Sequence, residues 1–202
     1  MIKVMEAKRL RLAVLASGRG SNFAAIHEAI KADKLNADIC VVISDKKDAP
    51  ALRLAEDEGI PAVHFDPRWY ASREEYEIQI VDTLQAMNID IIVLAGYMRL
   101  VGKTLLDQYK LRIVNIHPAL LPAFPGLNAQ RQALEYGVKQ SGCTIHFVDE
   151  GMDTGPIILQ RAVPVYDTDT EETLSARILK EEHNSYYQAL QLIAEGRVKV
   201  EG

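Results

Sequence analysis

Residues 12–32 read LAVLASGRGSNFAAIHEAIKA, and this stretch decides the fold prediction. The apolar run from Leu12 to Ala16 predicts a buried strand, and the helical spacing from Asn22 to Ala32 predicts a helix. Gly18 and Gly20 lie in the loop between them. Because backbone N–H groups at a helix N-terminus attract anions, this loop predicts a phosphate site.

The residues around this loop favour a single phosphate. Gly20 allows a close backbone approach, Arg19 adds charge, and Ser21 and Asn22 supply side-chain donors or an N-cap. A plain glycine-rich turn with a capping residue is the alternative interpretation. A dinucleotide site is disfavoured, because the third glycine of its fingerprint would fall at Phe23.

The same alternation of short β-branched runs and helical segments continues along the chain. It predicts a doubly wound, mostly parallel α/β sheet with helices on both faces. Further strands are predicted over residues 39–44, 62–65, 89–95, 113–116, 143–148 and 157–165, and further helices over 49–58, 73–87, 128–136 and from 171 to between 194 and 196.

Length and composition indicate one domain and exclude several classes of protein. The chain has 202 residues, a net charge of −5 and no apolar run long enough to span a bilayer. The negative charge argues against a nucleic-acid-binding surface. The segment from Met1 to Arg11 lacks the features of a secretory signal, so we expect a cytoplasmic protein. Cys40 and Cys143 lie in apolar runs and are predicted to be buried, reduced thiols.

Two polar side chains, separated by one residue, lie at the end of the strand predicted over 113–116. Because side chains alternate along a strand, Asn115 and His117 share one face at its carboxyl end, where open α/β sheets bind ligands. A turn-capping asparagine and a half-buried histidine are the alternative. The loop from Asp149 to Pro156 adds three acids, and a carboxylate beside an imidazole favours its charged form. Chemistry alone does not choose among Asp149, Glu150 and Asp153.

At this point the sequence resembles a known family, the folate-dependent phosphoribosylglycinamide formyltransferases of purine biosynthesis. The resemblance spans nearly the whole chain. It is carried by the motifs GRGSN (18–22), LAGYMR (94–99), NIHPALLP (115–122), PGL (125–127) and DEGMDTGP (149–156). It implies a formyltransferase fold with a Rossmann-like first half. The single domain of 1–202 would then have a phosphate-binding half, about 11–117, and a folate and catalytic half, about 118–202.

The resemblance also implies a reaction and its catalytic residues. The amine of phosphoribosylglycinamide attacks the formyl carbon of the co-substrate, 10-formyltetrahydrofolate. Asn115 and protonated His117 stabilise the oxyanion. The resemblance singles out Asp153 as the carboxylate that holds His117 and helps to carry the proton to the leaving nitrogen. It requires no metal.

Binding residues follow from the same resemblance. The ribose phosphate is expected at Gly20, Ser21 and Asn22, and the substrate amine near Glu182, which shares an apolar stripe with Leu174 and Ile178. The folate is expected at Arg73, Met98, Arg99, Leu100, Asn115, Asp149, Glu150, Gly151, Met152 and Asp153. Four of these residues have a stated alternative. Arg73 would be an exposed first-turn residue, Met98 and Leu100 would be core residues, and Glu182 would be a surface residue at the margin of the stripe.

Other interpretations stay open at this stage. Asn128 stands where many relatives have histidine, so it is assigned no role. His146 is either a hydrogen-bonded core residue or a supporting group. Hydrolysis of the formyl-folate would use the same three catalytic residues with water as the acceptor, and a sugar-phosphate-binding module would need none of them. The expected partners are small molecules, with no nucleic acid or membrane, in a monomer or a homodimer.

Overall fold

Strands and helices alternate along the computed structural model, which describes residues 9–198. The elements are β1 (Leu10–Leu15), α1 (Ser21–Lys31), β2 (Ala37–Ser44), α2 (Pro50–Asp57), β3 (Ala62–His64), α3 (Arg73–Ala86), β4 (Ile91–Leu94), α4 (Lys103–Gln108), β5 (Ile113–His117), α5 (Ala129–Tyr136), β6 (Gln140–Phe147), β7 (Ile157–Pro164) and α6 (Glu171–Ala194). The expectation about a secretory signal falls mostly on residues 1–8, outside the described range.

The strands form one sheet in the order β3-β2-β1-β4-β5-β6-β7. The first five strands in this order are parallel to one another, whereas β6 is antiparallel to both β5 and β7. This confirms the prediction of a doubly wound, mostly parallel sheet. The order reverses between β1 and β4, which is where sheets of this kind open a crevice at the carboxyl ends of their strands.

Alternation along β1 divides the core between the two faces of the sheet. Leu12 and Val14 pack with the buried residues of α1, α2 and α6. Ala13 and Leu15 pack with those of α3 and α4 on the other face. A smaller cluster joins α5, β6, β7 and the start of α6. Since each face of the sheet is covered, the central strands read as continuous apolar runs.

Several local predictions need correction. Helix α4 was not predicted, because its six residues are too few to show a helical period. The strand predicted over 89–95 is only four residues long. Cys143 is buried as predicted, but Cys40 is half-buried. The reason is that the short strand β3 pairs only with Val42 to Ser44, which leaves the start of β2 uncovered.

No helix within residues 9–198 is long and apolar enough to cross a membrane. The longest helix, α6, has 24 residues but carries charged side chains along its length. Its N-terminus is fixed by a capping box, in which Thr170 and Thr173 each accept a hydrogen bond from the other's backbone N–H.

Candidate active site

His117 lies at the carboxyl end of β5 with both ring nitrogens facing acceptors. It is buried, with its Nε2 atom 2.7 Å from the Phe124 carbonyl oxygen and its Nδ1 atom 3.3 Å from Asp153 Oδ2. A carbonyl and a carboxylate can only accept hydrogen bonds. The two contacts are therefore both satisfied when the ring carries a proton on each nitrogen, which is the imidazolium form.

The structure chooses among the three acids of the 149–155 loop. Asp153 faces His117, and its Oδ2 atom also accepts a hydrogen bond from Gly126 N at 2.8 Å. Asp149 instead shapes the loop, because its Oδ1 atom accepts from Gly151 N at 3.1 Å and from Thr154 Oγ1 at 2.7 Å. Glu150 is exposed. Of the three carboxylates, Asp153 is the one that contacts the imidazole.

Asn115 lies on the same face of β5 and contacts a residue that sequence reasoning left without a defined role. Its Nδ2 atom is 3.3 Å from His146 Nε2, and His146 Nε2 is also 3.7 Å from Asp153 Oδ1. Burial lowers the pKa of the His146 imidazole, while the Phe147 carbonyl and Asp153 act in the opposite direction. Four side chains thus meet at this point: Asn115, His117, His146 and Asp153.

The phosphate loop presents the N-terminus of α1 as predicted, but no side chain caps it. Gly20 is the N-cap residue, with a positive φ of 74°, and neither Ser21 nor Asn22 provides a side-chain cap. The interpretation of Ser21 or Asn22 as the cap is therefore wrong. A Cβ atom at Gly20 would lie 2.8 Å from Ala51 Cβ, so the loop packs directly on α2. The unfilled backbone donors at this helix end are available to an anion.

Glu182 is buried on the inner stripe of α6, as the sequence predicts, so the alternative that placed it at the protein surface is wrong. Its Oε2 atom accepts a hydrogen bond from Asn22 Nδ2 at 2.9 Å. Burial raises the pKa of the Glu182 carboxyl, and the Asn22 hydrogen bond and the charge of His117 partly oppose that shift. The Glu182 carboxylate, which shares its stripe of α6 with Leu174 and Ile178, thus pairs with Asn22 at the start of α1.

The segment after β4 is exposed, so the alternative that placed Met98 and Leu100 in the core is wrong. Their exposed fractions are 72% and 67%. Met98 N donates to Ser17 Oγ at 2.9 Å, which ties this segment to the phosphate loop. In the 149–155 loop, Met152 is also exposed and its sulfur lies near Gly126. Exposed apolar side chains on loops are typical of surfaces that bind a ligand.

Arg73 begins α3, as its alternative supposed, but its side chain also has a structural task. The guanidinium donates to the Leu100 carbonyl and lies 3.3 Å from Glu77 Oε1. Glu77 in turn accepts from Gly102 N at 2.6 Å, at the start of α4. Arg73 therefore holds the 98–102 segment in place and remains half-exposed.

A cavity of about 640 Å³ adjoins this region. Ser17, Asp45 and Arg99 contribute to its lining, together with Lys46, His64 and Arg68, whereas Asn115, His117 and Asp153 do not. Arg99 also lies over the Tyr76 ring, with 5.5 Å from its guanidinium carbon to the ring centre. Within residues 9–198, no group of three His, Cys, Asp or Glu side chains is arranged to hold a metal ion.

Comparison with known proteins gives a consistent result. The family model described as formyl transferase matches residues 10–190. The chain is 47% identical to the phosphoribosylglycinamide formyltransferase of Bacillus subtilis (strain 168), covering 87% of this chain and 90% of that protein. It is 45% identical to the trifunctional purine biosynthetic protein adenosine-3 of Drosophila melanogaster, covering 96% of this chain but only 14% of that longer protein.

A solved structure agrees with the sequence comparison. The crystal structure of glycinamide ribonucleotide transformylase 1 from Symbiobacterium toebii superposes with a TM-score of 0.95. The two sequences are 51% identical, and the match covers 98% of this chain and 93% of that one.

Proposed function

The chain belongs to the formyl transferase family, and we propose that it transfers the formyl group of 10-formyltetrahydrofolate to the amine of phosphoribosylglycinamide. The observation that carries this proposal is the contact of the His117 ring with Asp153, beside Asn115 at the carboxyl end of β5. A protein that only bound a sugar phosphate would need the loop at Gly20 but not this contact between His117 and Asp153.

The reaction forms a carbon–nitrogen bond from the substrate amine to the formyl carbon and breaks the bond from that carbon to the folate nitrogen. Charge develops on the formyl oxygen between these two events. The Asn115 amide and the His117 imidazolium donate hydrogen bonds to that oxygen. The formyl oxygen then replaces the Phe124 carbonyl oxygen as the acceptor from His117 Nε2. Asp153 Oδ2, 3.3 Å from His117 Nδ1, holds the ring in this orientation.

A proton must leave the attacking amine and reach the departing folate nitrogen. Asp153 assists this transfer through a water molecule, since its half-buried carboxylate lies beside the imidazole and its side chain is 13% exposed. In the proposed step Asp153 and the water molecule carry the proton, and no metal is required.

The two substrates would enter from different sides of the crevice. The ribose phosphate binds the backbone N–H groups at Gly20, Ser21 and Asn22, and the amine end lies toward Glu182. The folate lies between the 98–100 segment, which Arg73 holds in place, and the 149–153 loop. In this arrangement the half of about 11–117 binds the phosphate but also carries the 98–100 segment, Asn115 and His117, and the half of about 118–202 supplies the 149–153 loop and Glu182. We place this reaction in the cytoplasm.

The proposal is tested by turnover of the purified chain with 10-formyltetrahydrofolate, with and without phosphoribosylglycinamide, each also in the presence of a metal chelator. Formyl transfer that depends on the amine and survives the chelator supports the proposal. Release of formate without the amine would instead identify a hydrolase. Binding of both ligands without any turnover would indicate a binding module.

A further inference from the structure

His146 lies directly opposite Asn115 in the antiparallel pair of β5 and β6. Side chains at such positions on one face of a sheet are close neighbours. Here the pairing brings His146 Nε2 to 3.3 Å from Asn115 Nδ2. His146 is 2% exposed, so it acts on a ligand only through its neighbours.

The other ring nitrogen of His146 fixes which tautomer is present. Nδ1 lies 2.8 Å from the Phe147 carbonyl oxygen, which can only accept, so Nδ1 carries a proton. In the neutral ring Nε2 then has a free lone pair and accepts a hydrogen bond from Asn115 Nδ2. A protonated Nε2 would face the Asn115 N–H groups as a second donor, and the 3.7 Å separation from Asp153 Oδ1 is too long for a compensating hydrogen bond.

We propose that His146 is a positioning residue whose Nε2 lone pair fixes the orientation of the Asn115 amide. One N–H of Nδ2 is held by His146, and the second N–H is thereby aimed at the formyl oxygen. Without an acceptor at this place, the amide can turn by 180° and present its own oxygen to the developing oxyanion. That orientation would repel the charge that Asn115 has to stabilise.

This inference rests on the function proposed above, and it adds a requirement to it. A donor stabilises a transition state best when it is already oriented, because no reorganisation is then needed during the reaction. The His146 contact supplies that orientation from a buried strand whose neighbours β5 and β7 hold it on both sides. The Phe147 carbonyl therefore orients His146, His146 orients the Asn115 amide, and that amide donates to the formyl oxygen.

The test compares His146→Leu, which removes the acceptor, with His146→Gln, whose side-chain oxygen restores one. For His146→Leu we expect kcat to fall about 10- to 100-fold, with the KM for each substrate changed less than about twofold, because the loss occurs in the transition state. For His146→Gln we expect recovery of at least about threefold over the leucine variant. Ile145→Val, the adjacent change in β6, should leave kcat unchanged and controls for disturbance of the strand.

A double-mutant cycle with Asn115→Ala decides whether His146 acts through Asn115. In that background either His146 variant should lower kcat by less than about twofold further, because no amide remains to be oriented. An equal loss of kcat in both backgrounds, or full kcat in His146→Leu, would overturn the inference. If the leucine variant does not fold, His146→Ala, which also removes the acceptor, completes the same cycle. Formyl transfer by the unchanged chain that depends on phosphoribosylglycinamide is measured first. Its absence would overturn the proposed function and this inference together.

Discussion

Asn22 Nδ2 donates a hydrogen bond to Glu182 Oε2 at 2.9 Å, which joins the start of α1 to the middle of α6 across 160 positions of sequence. Both side chains are buried. The other amide atom, Asn22 Oδ1, is also buried and has no hydrogen-bond partner among residues 9–198. An unsatisfied buried acceptor beside a carboxylate suits a ligand that brings N–H donors, as the substrate amine would.

The buried carboxyl of Glu182 should make stability depend on pH. Burial raises its pKa above the ordinary value of 4.5, so the unfolded chain releases this proton at a lower pH than the folded chain. The contribution of Glu182 to the free energy of unfolding is therefore lost as pH rises from 4.5 through the raised pKa. Glu182→Gln, which keeps an acceptor for Asn22, should be more stable than the parent at about pH 8, with the difference shrinking towards about pH 4.5.

Urea unfolding of the two chains at both pH values measures this difference. Glu181→Gln, one position earlier on α6 and only half-buried, is the matched control and should show a smaller change. A glutamine variant that is less stable than the parent at about pH 8 would contradict the prediction.

Asp153→Asn should separate the effect of the charge beside His117 from the effect of the side chain's shape. The asparagine keeps an oxygen that can accept from Gly126 N, so the free energy of unfolding should change by less than about 1 kcal/mol. Loss of the negative charge beside His117 should lower kcat by about 100- to 10,000-fold. Steady-state kinetics measures this effect, with Asp167→Asn at an exposed ion pair as the control. Retention of more than half of the parent kcat would exclude a role for the Asp153 charge.

Gly20→Ala should damage the phosphate loop. The positive φ of 74° strains any residue with a side chain, and the new Cβ would lie 2.8 Å from Ala51 Cβ. We expect a loss of about 2 to 4 kcal/mol in the free energy of unfolding. Gly18→Ala is the matched control, because nothing lies within 4 Å of its Cβ position and its φ is not positive. Denaturant unfolding of both variants checks the prediction, which fails if the two lose equal stability.

His183 should contribute to loss of stability on the acid side. Burial lowers the pKa of its imidazole below 6.5, and within the described part of the chain its buried Nε2 atom has no hydrogen-bond partner. The unfolded state therefore binds a proton more readily, and stability is lost as pH falls below 6.5 through the lowered pKa. His183→Gln should lose less stability than the parent between about pH 7.5 and about pH 5, measured by thermal unfolding. Parallel curves for the two chains would show that His183 does not contribute.

Much of the fold and part of the site follow from the sequence alone, because they depend on residues close together in the chain. The apolar run at Leu12 and the glycines after it determine a strand, a glycine-containing loop and a helix start. The two-residue period of β5 places Asn115 and His117 on one face. The four-residue spacing of α6 turns Glu182 inward.

The tertiary structure decided which of these groups meet. Local chemistry left Asp149, Glu150 and Asp153 equivalent, and the path of the loop across Gly126 brings Asp153 to His117. His146 faces Asn115 only because β6 runs antiparallel to β5, and strand direction is not encoded in a period of two residues. Local periods determine which face a side chain takes, whereas contacts between distant segments depend on how the whole chain buries its apolar surface.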